Sequence, residues 1–236
     1  MRTACDAGHH GAARSWPKAL GSRLYESLSG SIGIIRHELA NGVVEVSGGA
    51  YGMASIYDYD LVLMMVSELA EQVKLHRNGK GALPSKLFRP HSSEVFKFCR
   101  LPDGGRQYQA LESTLDRLST TIIKIIKTSD KGRLRESQQG FRLIESAKVV
   151  TRTDTGNIGS IEITIPDWVY EGVCQCTNPE ILTINPDYFL IKSGISRFVY
   201  RLARKAAGTS EARYKFKTIY LRSGSSREFR KFCYDL

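Results

Sequence analysis

The sequence predicts an α+β fold of two units built in the same order, and three observations carry that expectation. Apolar residues recur at helical spacing in several segments. They alternate at strand spacing through the middle of the chain. The order of elements seen in the first unit then returns, shortened, after Ser193. With 236 residues, one or two domains can each bury a proper core. Mean hydropathy is −0.26 and no apolar run approaches the roughly 18 residues of a membrane span, so no membrane partner is expected. The first twenty residues lack the apolar core of a secretory signal. Five cysteines (Cys5, Cys99, Cys174, Cys176, Cys233), odd in number and sparse, point to a reducing cytoplasm rather than a disulfide framework.

Residues 1–32 are rich in Gly, Ala, Ser and Arg without a sustained period and read as a flexible arm; His9 and His10 within it read as solvated rather than metal-bound. The folded body starts at Gly33. From there to Ser47 two short apolar runs flank Asn41-Gly42, a hairpin-turn dipeptide. Asp58 or Asp60 is placed to cap a helix to about Val73, and Leu61 to Leu69 make that helix apolar nearly all round, hence central and buried. Lys86–Arg89 reads as a short strand, and Ser92 or Ser93 as the cap of a short helix to about Cys99. After the turn Asp103-Gly104-Gly105, Tyr108, Leu111, Leu115 and Leu118 mark one face of a helix over Arg106–Leu118. Thr120–Thr128, Phe141–Thr151 and Ile158–Ile165 read as strands, the last two joined at Asp154-Thr155-Gly156-Asn157. Long helix, strand, short helix, turn, helix and β-hairpin is the order of a winged helix.

The second copy begins with a helix over Ser193–Ala207. Its apolar stripe runs through Ile195, Phe198, Val199, Leu202, Ala203 and Ala206, with Gly208 ending it and Arg197, Arg201, Arg204 and Lys205 off the stripe. Tyr214–Phe216 reads as a strand, Lys217–Arg222 as a short helix, Ser223-Gly224-Ser225 as a tight turn and Ser226–Leu236 as a last helix. The expectation is therefore two winged-helix units, 33–190 and 191–236, the second truncated before its wing.

Charge gives the partner class. The formal net charge is +10, and Ser193–Leu236 holds eleven basic against three acidic residues, a local +8. Such asymmetry suits a segment that meets phosphates; the alternative is a merely soluble basic surface. In the last helix, Phe229, Phe232, Cys233 and Leu236 form an apolar face, and Arg227, Arg230, Lys231 and Tyr234 fall opposite. A short helix after a Gly-containing turn, offering arginine forks, is what reading a major groove requires. Ser223, Ser225 and Ser226 in the turn suit phosphate oxygens. Arg106, Gln107 and Gln109 open the corresponding helix of the first unit, where a plain solvated helix competes with a DNA contact because Glu112 and Asp116 follow.

Enzyme chemistry finds no support: the histidines are scattered, and metalloprotease, nucleophile-elbow, nicking and phosphate-loop motifs are all missing. Cys174-Gln175-Cys176 has no second pair for a structural zinc site. No cofactor is expected.

Five segments, Tyr51–Glu71, Gly104–Ile122, Pro166–Val173, Leu182–Gly208 and Tyr214–Leu236, resemble in order the plasmid replication initiator protein A (RepA) family. The resemblance covers Gly33 to Leu236. It implies two winged-helix domains, the first for dimerisation and secondary origin contacts, the second reading repeated origin sites (iterons). It also implies homodimers, recruitment of host replication proteins and no catalytic site. Carried over by position, Ser225, Ser226, Arg227, Arg230 and Lys231 read the DNA; apart from the resemblance, Arg222, Arg106 and Gln107 are further candidate contacts. Residues 1–32 depart from the family, and the family continues past Leu236 into a hairpin wing. A transcriptional repressor, or a dimerisation module with a vestigial second domain, remains the rival reading. Strands around Ile122–Ile126 and Ile161–Ile165 are the expected dimer surface.

Overall fold

Seven strands and seven α-helices lie among the described residues of this computed structural model, which are 33–39, 42–128, 134–175, 181–208, 210–225 and 227–236. In chain order they are β1 (Ile34–Leu39), β2 (Gly42–Ser47), α1 (Tyr59–Arg77), β3 (Leu87–Phe88), α2 (Ser92–Phe98), α3 (Gly105–Thr120), β4 (Ile122–Thr128), β5 (Leu134–Arg142), β6 (Ser146–Arg152), β7 (Ile158–Thr164), α4 (Asp167–Cys174), α5 (Gly194–Ala207), α6 (Phe216–Ser223) and α7 (Phe229–Asp235). A 3-10 turn at Pro186–Leu190 precedes α5. The strands form two antiparallel sheets, one ordered β1-β2-β4-β5 and the other β3-β7-β6.

Alternation sets the inner face of each sheet. Val44 and Val46 on β2 lie opposite Ile125 and Ile123 on β4, and all four are buried. In the smaller sheet Ile161 and Ile163 face inward opposite Val149 and Ala147. Between them Glu162 points outward, ion-paired with Arg89 and Lys148. Leu39 pairs with Gly42, so Gly42 belongs to β2; Asn41 lies outside the described residues.

Two strand expectations are corrected. Phe141–Thr151 is not one strand, because β5 ends at Arg142 and β6 begins at Ser146. Leu143 and Ile144 between them are both fully buried. Adjacent side chains on a strand point to opposite faces, so burying both takes the chain through the core from one sheet to the other. The strands expected to meet a second copy are also interior: β4 is paired on both sides by β2 and β5, and β7 by β3 and β6. Ile161, Ile163 and Ile165 belong to the core.

The all-round apolar helix α1 is central as expected, with Leu61, Val62, Met64, Met65, Leu69 and Val73 buried. Asp58 stands at its N-cap, but its side chain caps nothing. The carboxylate instead accepts from the Ser55 amide (2.7 Å) and hydroxyl (2.8 Å), Thr114 Oγ1 (2.7 Å) and Arg117 Nη2 (2.6 Å). The cap of α2 is likewise neither Ser92 nor Ser93. His91 caps it: its ring accepts from the Ser93 amide while Glu94 accepts from the His91 amide. Ser92 is buried and donates to the Ile158 carbonyl at 2.8 Å. In α3 Leu111, Leu115 and Leu118 are the buried stripe, and Tyr108 meets Phe96 edge to face at 4.9 Å. At the C-terminal end Tyr214–Phe216 forms no strand; Phe216 opens α6.

Candidate nucleic-acid interface

Helices α6 and α7 pack through one aromatic knot. Phe232 is fully buried, and the Tyr220 ring meets both Phe229 and Phe232 edge to face, each at 5.2 Å. The Tyr220 hydroxyl donates to the Arg227 carbonyl at 2.8 Å. Gly224 takes φ +68° at the end of α6, the left-handed conformation that glycine adopts without strain. Local geometry is thus helix, tight turn, helix, with α7 shorter than the sequence suggests: it starts at Phe229, not Ser226.

The turn hydroxyls hold the turn. Buried Ser223 donates to the Tyr220 carbonyl (2.7 Å) and accepts from the Ser225 amide (3.1 Å). Ser225 accepts from the Arg227 amide (3.2 Å). Ser223 is thus both donor and acceptor within the chain, whereas the Ser225 hydroxyl accepts one amide and keeps its own hydrogen for a further acceptor. Ser226 lies outside the described residues.

The cations divide into committed and uncommitted. Arg227 precedes α7 and forms an ion pair with Asp235 at its far end, which fixes its fork along the helix. Arg222 lies over the Tyr214 ring at 4.8 Å. Arg230 and Lys231 are exposed, and Tyr234 beside them is 91% exposed. On a helical projection these three occupy the side away from Phe232, so α7 presents Arg230, Lys231 and Tyr234 outward.

In the earlier helix Arg106 is exposed at the first turn of α3. Gln107 is half-buried, with its amide oxygen turned toward Gly104. The hairpin joining β6 and β7 is tied to this helix by Arg152, which donates to Glu112 at 2.8 Å.

In α5, Arg197 and Arg201, which lie off the apolar stripe, are nevertheless only 5% and 6% exposed. Arg197 pairs with Asp60, and Arg201 stacks 4.3 Å over the Tyr59 ring. Arg204 donates to the Thr183 carbonyl. Burial pushes the Asp60 carboxyl up to about 6, against the opposing pull of Arg197 and Arg201. Tyr57-Asp58-Tyr59-Asp60 places acceptors and aromatic faces at the start of a buried helix, which buried arginines need, but nothing in the sequence says which arginines they receive. Lys215 and Lys217, exposed at the start of α6, were also missed as candidates. Among the described residues no group of three His, Cys, Asp or Glu could hold a metal ion, and no helix is long and apolar enough to cross a membrane. Cys176 lies outside them.

Comparison with known proteins bears on this arrangement. The family model described as replication initiator protein A matches residues 26–236. A protein of Wigglesworthia glossinidia brevipalpis named "Putative replication protein" is 32% identical over 213 residues, which is 89% of this chain and 74% of that protein. Among solved structures, domains 2 and 3 of RctB superpose with a TM-score of 0.61 at 10% identity, covering 86% of this chain and 74% of that one. A second RctB structure of the same domains gives 0.57 at 12% identity. At such identity the RctB likeness concerns the fold alone.

Proposed function

The chain belongs to the replication initiator protein A family, and from that premise we propose that it binds repeated duplex DNA sites (iterons) at a plasmid origin to start replication. In this reading both parts of the chain are winged helices. The strand, helices and hairpin from β3 to β7, with α1, make the first, beside a four-stranded sheet whose β1 and β2 precede α1 and whose β4 and β5 follow α3; α5, α6 and α7 begin the second. The observation that carries it is the α6–Gly224–α7 geometry, with Arg230, Lys231 and Tyr234 facing outward from a helix anchored by Phe232. Arginine and lysine reach base edges and phosphates, while Tyr234 offers an apolar ring with a hydroxyl. Arg222, Arg106, Lys215 and Lys217 add phosphate contacts. The role is one of binding, without catalysis.

Self-association and recruitment of host replication proteins belong to the same proposal. Because β4 and β7 are interior, pairing between copies would use an outer strand such as β1, where Ile34 is exposed. The test is binding to a duplex holding tandem direct repeats from the plasmid that encodes the chain, between 50 and 200 mM salt. An interface of about six phosphate contacts should lose on the order of a thousandfold in affinity over that range. Salt-insensitive binding, or none, overturns the reading.

A further inference from the structure

The N-terminus of α1 carries two aspartates two residues apart, Asp58 at the N-cap and Asp60 in the first turn, and each holds an arginine from a different candidate DNA-contacting part. Asp58 accepts from Arg117 Nε (2.9 Å) and Nη2 (2.6 Å) and from Thr114, all on α3, the helix that carries Arg106. Asp60 accepts from Arg197 Nη1 (2.5 Å) on α5, the helix that leads into α6 and α7. Arg197 also donates to the carbonyls of Ile191 (2.7 Å) and Phe189 (3.0 Å), so one guanidinium gathers α1, the 3-10 turn and the entry to α5. Its plane is flanked by Tyr57 at 4.8 Å and Tyr188 at 5.1 Å. The Tyr57 hydroxyl donates to the Lys192 carbonyl at 2.7 Å.

A buried ion pair of this kind adds little net stability, because desolvation offsets the attraction between its members. Its effect falls on the choice of arrangement: packing α5 on α1 in any other register would leave a buried carboxylate and a buried guanidinium apart. Asp60 Oδ1 is buried without a hydrogen-bond partner, which is how a group selected for placement rather than for maximal stability would look.

We infer that Asp58 and Asp60 form a two-armed clamp that sets the position of α7 relative to α3, and so fixes the spacing of two contacts on one duplex. The inference rests on the DNA-binding reading above. A rigid link makes the second contact intramolecular, and the gain holds only at the matching spacing.

Spacing is therefore the readout. The full chain is used to select duplexes from a random pool, and about 5 bp, half of a roughly 10-bp turn, is then inserted at successive positions of the selected site. Wild type should lose at least about tenfold in affinity where the insertion separates the two contacts, since that loss is a modest part of the usual avidity gain. The double variant Asp60→Asn/Arg197→Met removes both charges and keeps most of the volume. It should bind the uninterrupted site about tenfold more weakly, yet lose less than about twofold on insertion. Arg197→Lys keeps a cation but cannot serve Asp60, Ile191 and Phe189 together; it should show the same flattening, and decides alone should the double variant not fold. A merely structural pair would lower stability and leave the spacing dependence unchanged, and that result in a folded variant overturns the inference. So does a wild-type site indifferent to insertion at every position. If wild type selects no duplex, it is the DNA-binding reading that fails.

Discussion

The part of the chain up to α4 and the three C-terminal helices are held together by different means. Before residue 175 two sheets and α1 enclose a core of valines, isoleucines, leucines and methionines, and Asp58, a polar group that enters it, accepts hydrogen bonds from Ser55, Thr114 and Arg117. After residue 181, among the described residues, only Tyr188, Ile195, Phe198 and Phe232 are buried apolar side chains. There, two arginines go inside. The difference teaches that a charge surplus cannot be converted directly into an interface. Part of the +8 of this segment attaches the helices to the body, and what remains outside is what can meet phosphate.

The sharpest way to break the first region is Asp58→Ala. It leaves Arg117, Thr114 and the Ser55 amide without their shared acceptor at a buried position, and truncating one partner of such a pair costs about 3–5 kcal/mol. Urea unfolding followed by Trp168 fluorescence should show the loss, since Trp168 sits on α4 and donates to the Arg142 carbonyl. Phe232→Ala should cost the C-terminal helices a similar amount, about 3–5 kcal/mol, through the cavity left beside Tyr220. The contrast is in extent. With so thin a core, α6 and α7 should lose hydrogen-exchange protection while α1 and the sheets keep theirs.

Much of this division could be read from the sequence. The all-round apolar run of α1, the period of 3.6 in α3 and α5 and the alternation at Ile161, Ile163 and Ile165 place those elements correctly, and in α3 and β7 the pattern also states which face is buried. The strand β5, with Glu136, Ser137, Gln138 and Gln139, carries no apolar alternation and gave no signal. The cap at His91 was missed because serine is the commoner cap, and Ser92 was drawn instead into the core by the Ile158 carbonyl. At the candidate site, the outward placement of Arg230 and Lys231 was legible from helical spacing. The withdrawal of Arg197 and Arg201 was not, because a period argument assigns whatever lies off the apolar stripe to water, whereas Asp60, Tyr57 and Tyr59 come from a helix about 140 residues earlier. A pairing across that distance leaves no local pattern.

The buried attachment can be sharpened by pH. The Asp60 carboxyl is raised from 3.8 to about 6 by burial, so between those values the folded chain holds a proton that the unfolded chain has released. Stability from this group therefore rises as pH falls through 6 toward 4, and ionisation above 6 costs up to about 3 kcal/mol at roughly 1.36 kcal/mol per unit. Thermal unfolding of wild type minus that of Asp60→Asn should show this component on acidification from pH 7.5 to 5. Equal pH profiles for the two proteins would place the ionised pair at no cost.

The smallest expected effect separates two arginines that the sequence treats alike. Arg227 and Arg230 are three residues apart and were both assigned to one DNA-reading face. In the structure Arg230 is exposed on α7, whereas Arg227 lies before the helix and pairs with Asp235. A fork that must first leave a carboxylate contributes less to a phosphate or base contact than one that is already in solvent. Arg230→Ala should weaken binding to a selected duplex by about 1–3 kcal/mol if it reaches a base edge, or reduce the salt slope by about one unit if it reaches phosphate. Arg227→Ala should cost less than about 1 kcal/mol, the usual ceiling for an exposed ion pair, and should change the salt slope by well under one unit. Asp235→Ala supplies the converse: freeing Arg227 should strengthen binding at low salt, and the gain should fade as salt rises. Equal losses from Arg227→Ala and Arg230→Ala would mean that DNA draws Arg227 away from Asp235 on binding, and that the free chain and the bound chain differ at the start of α7.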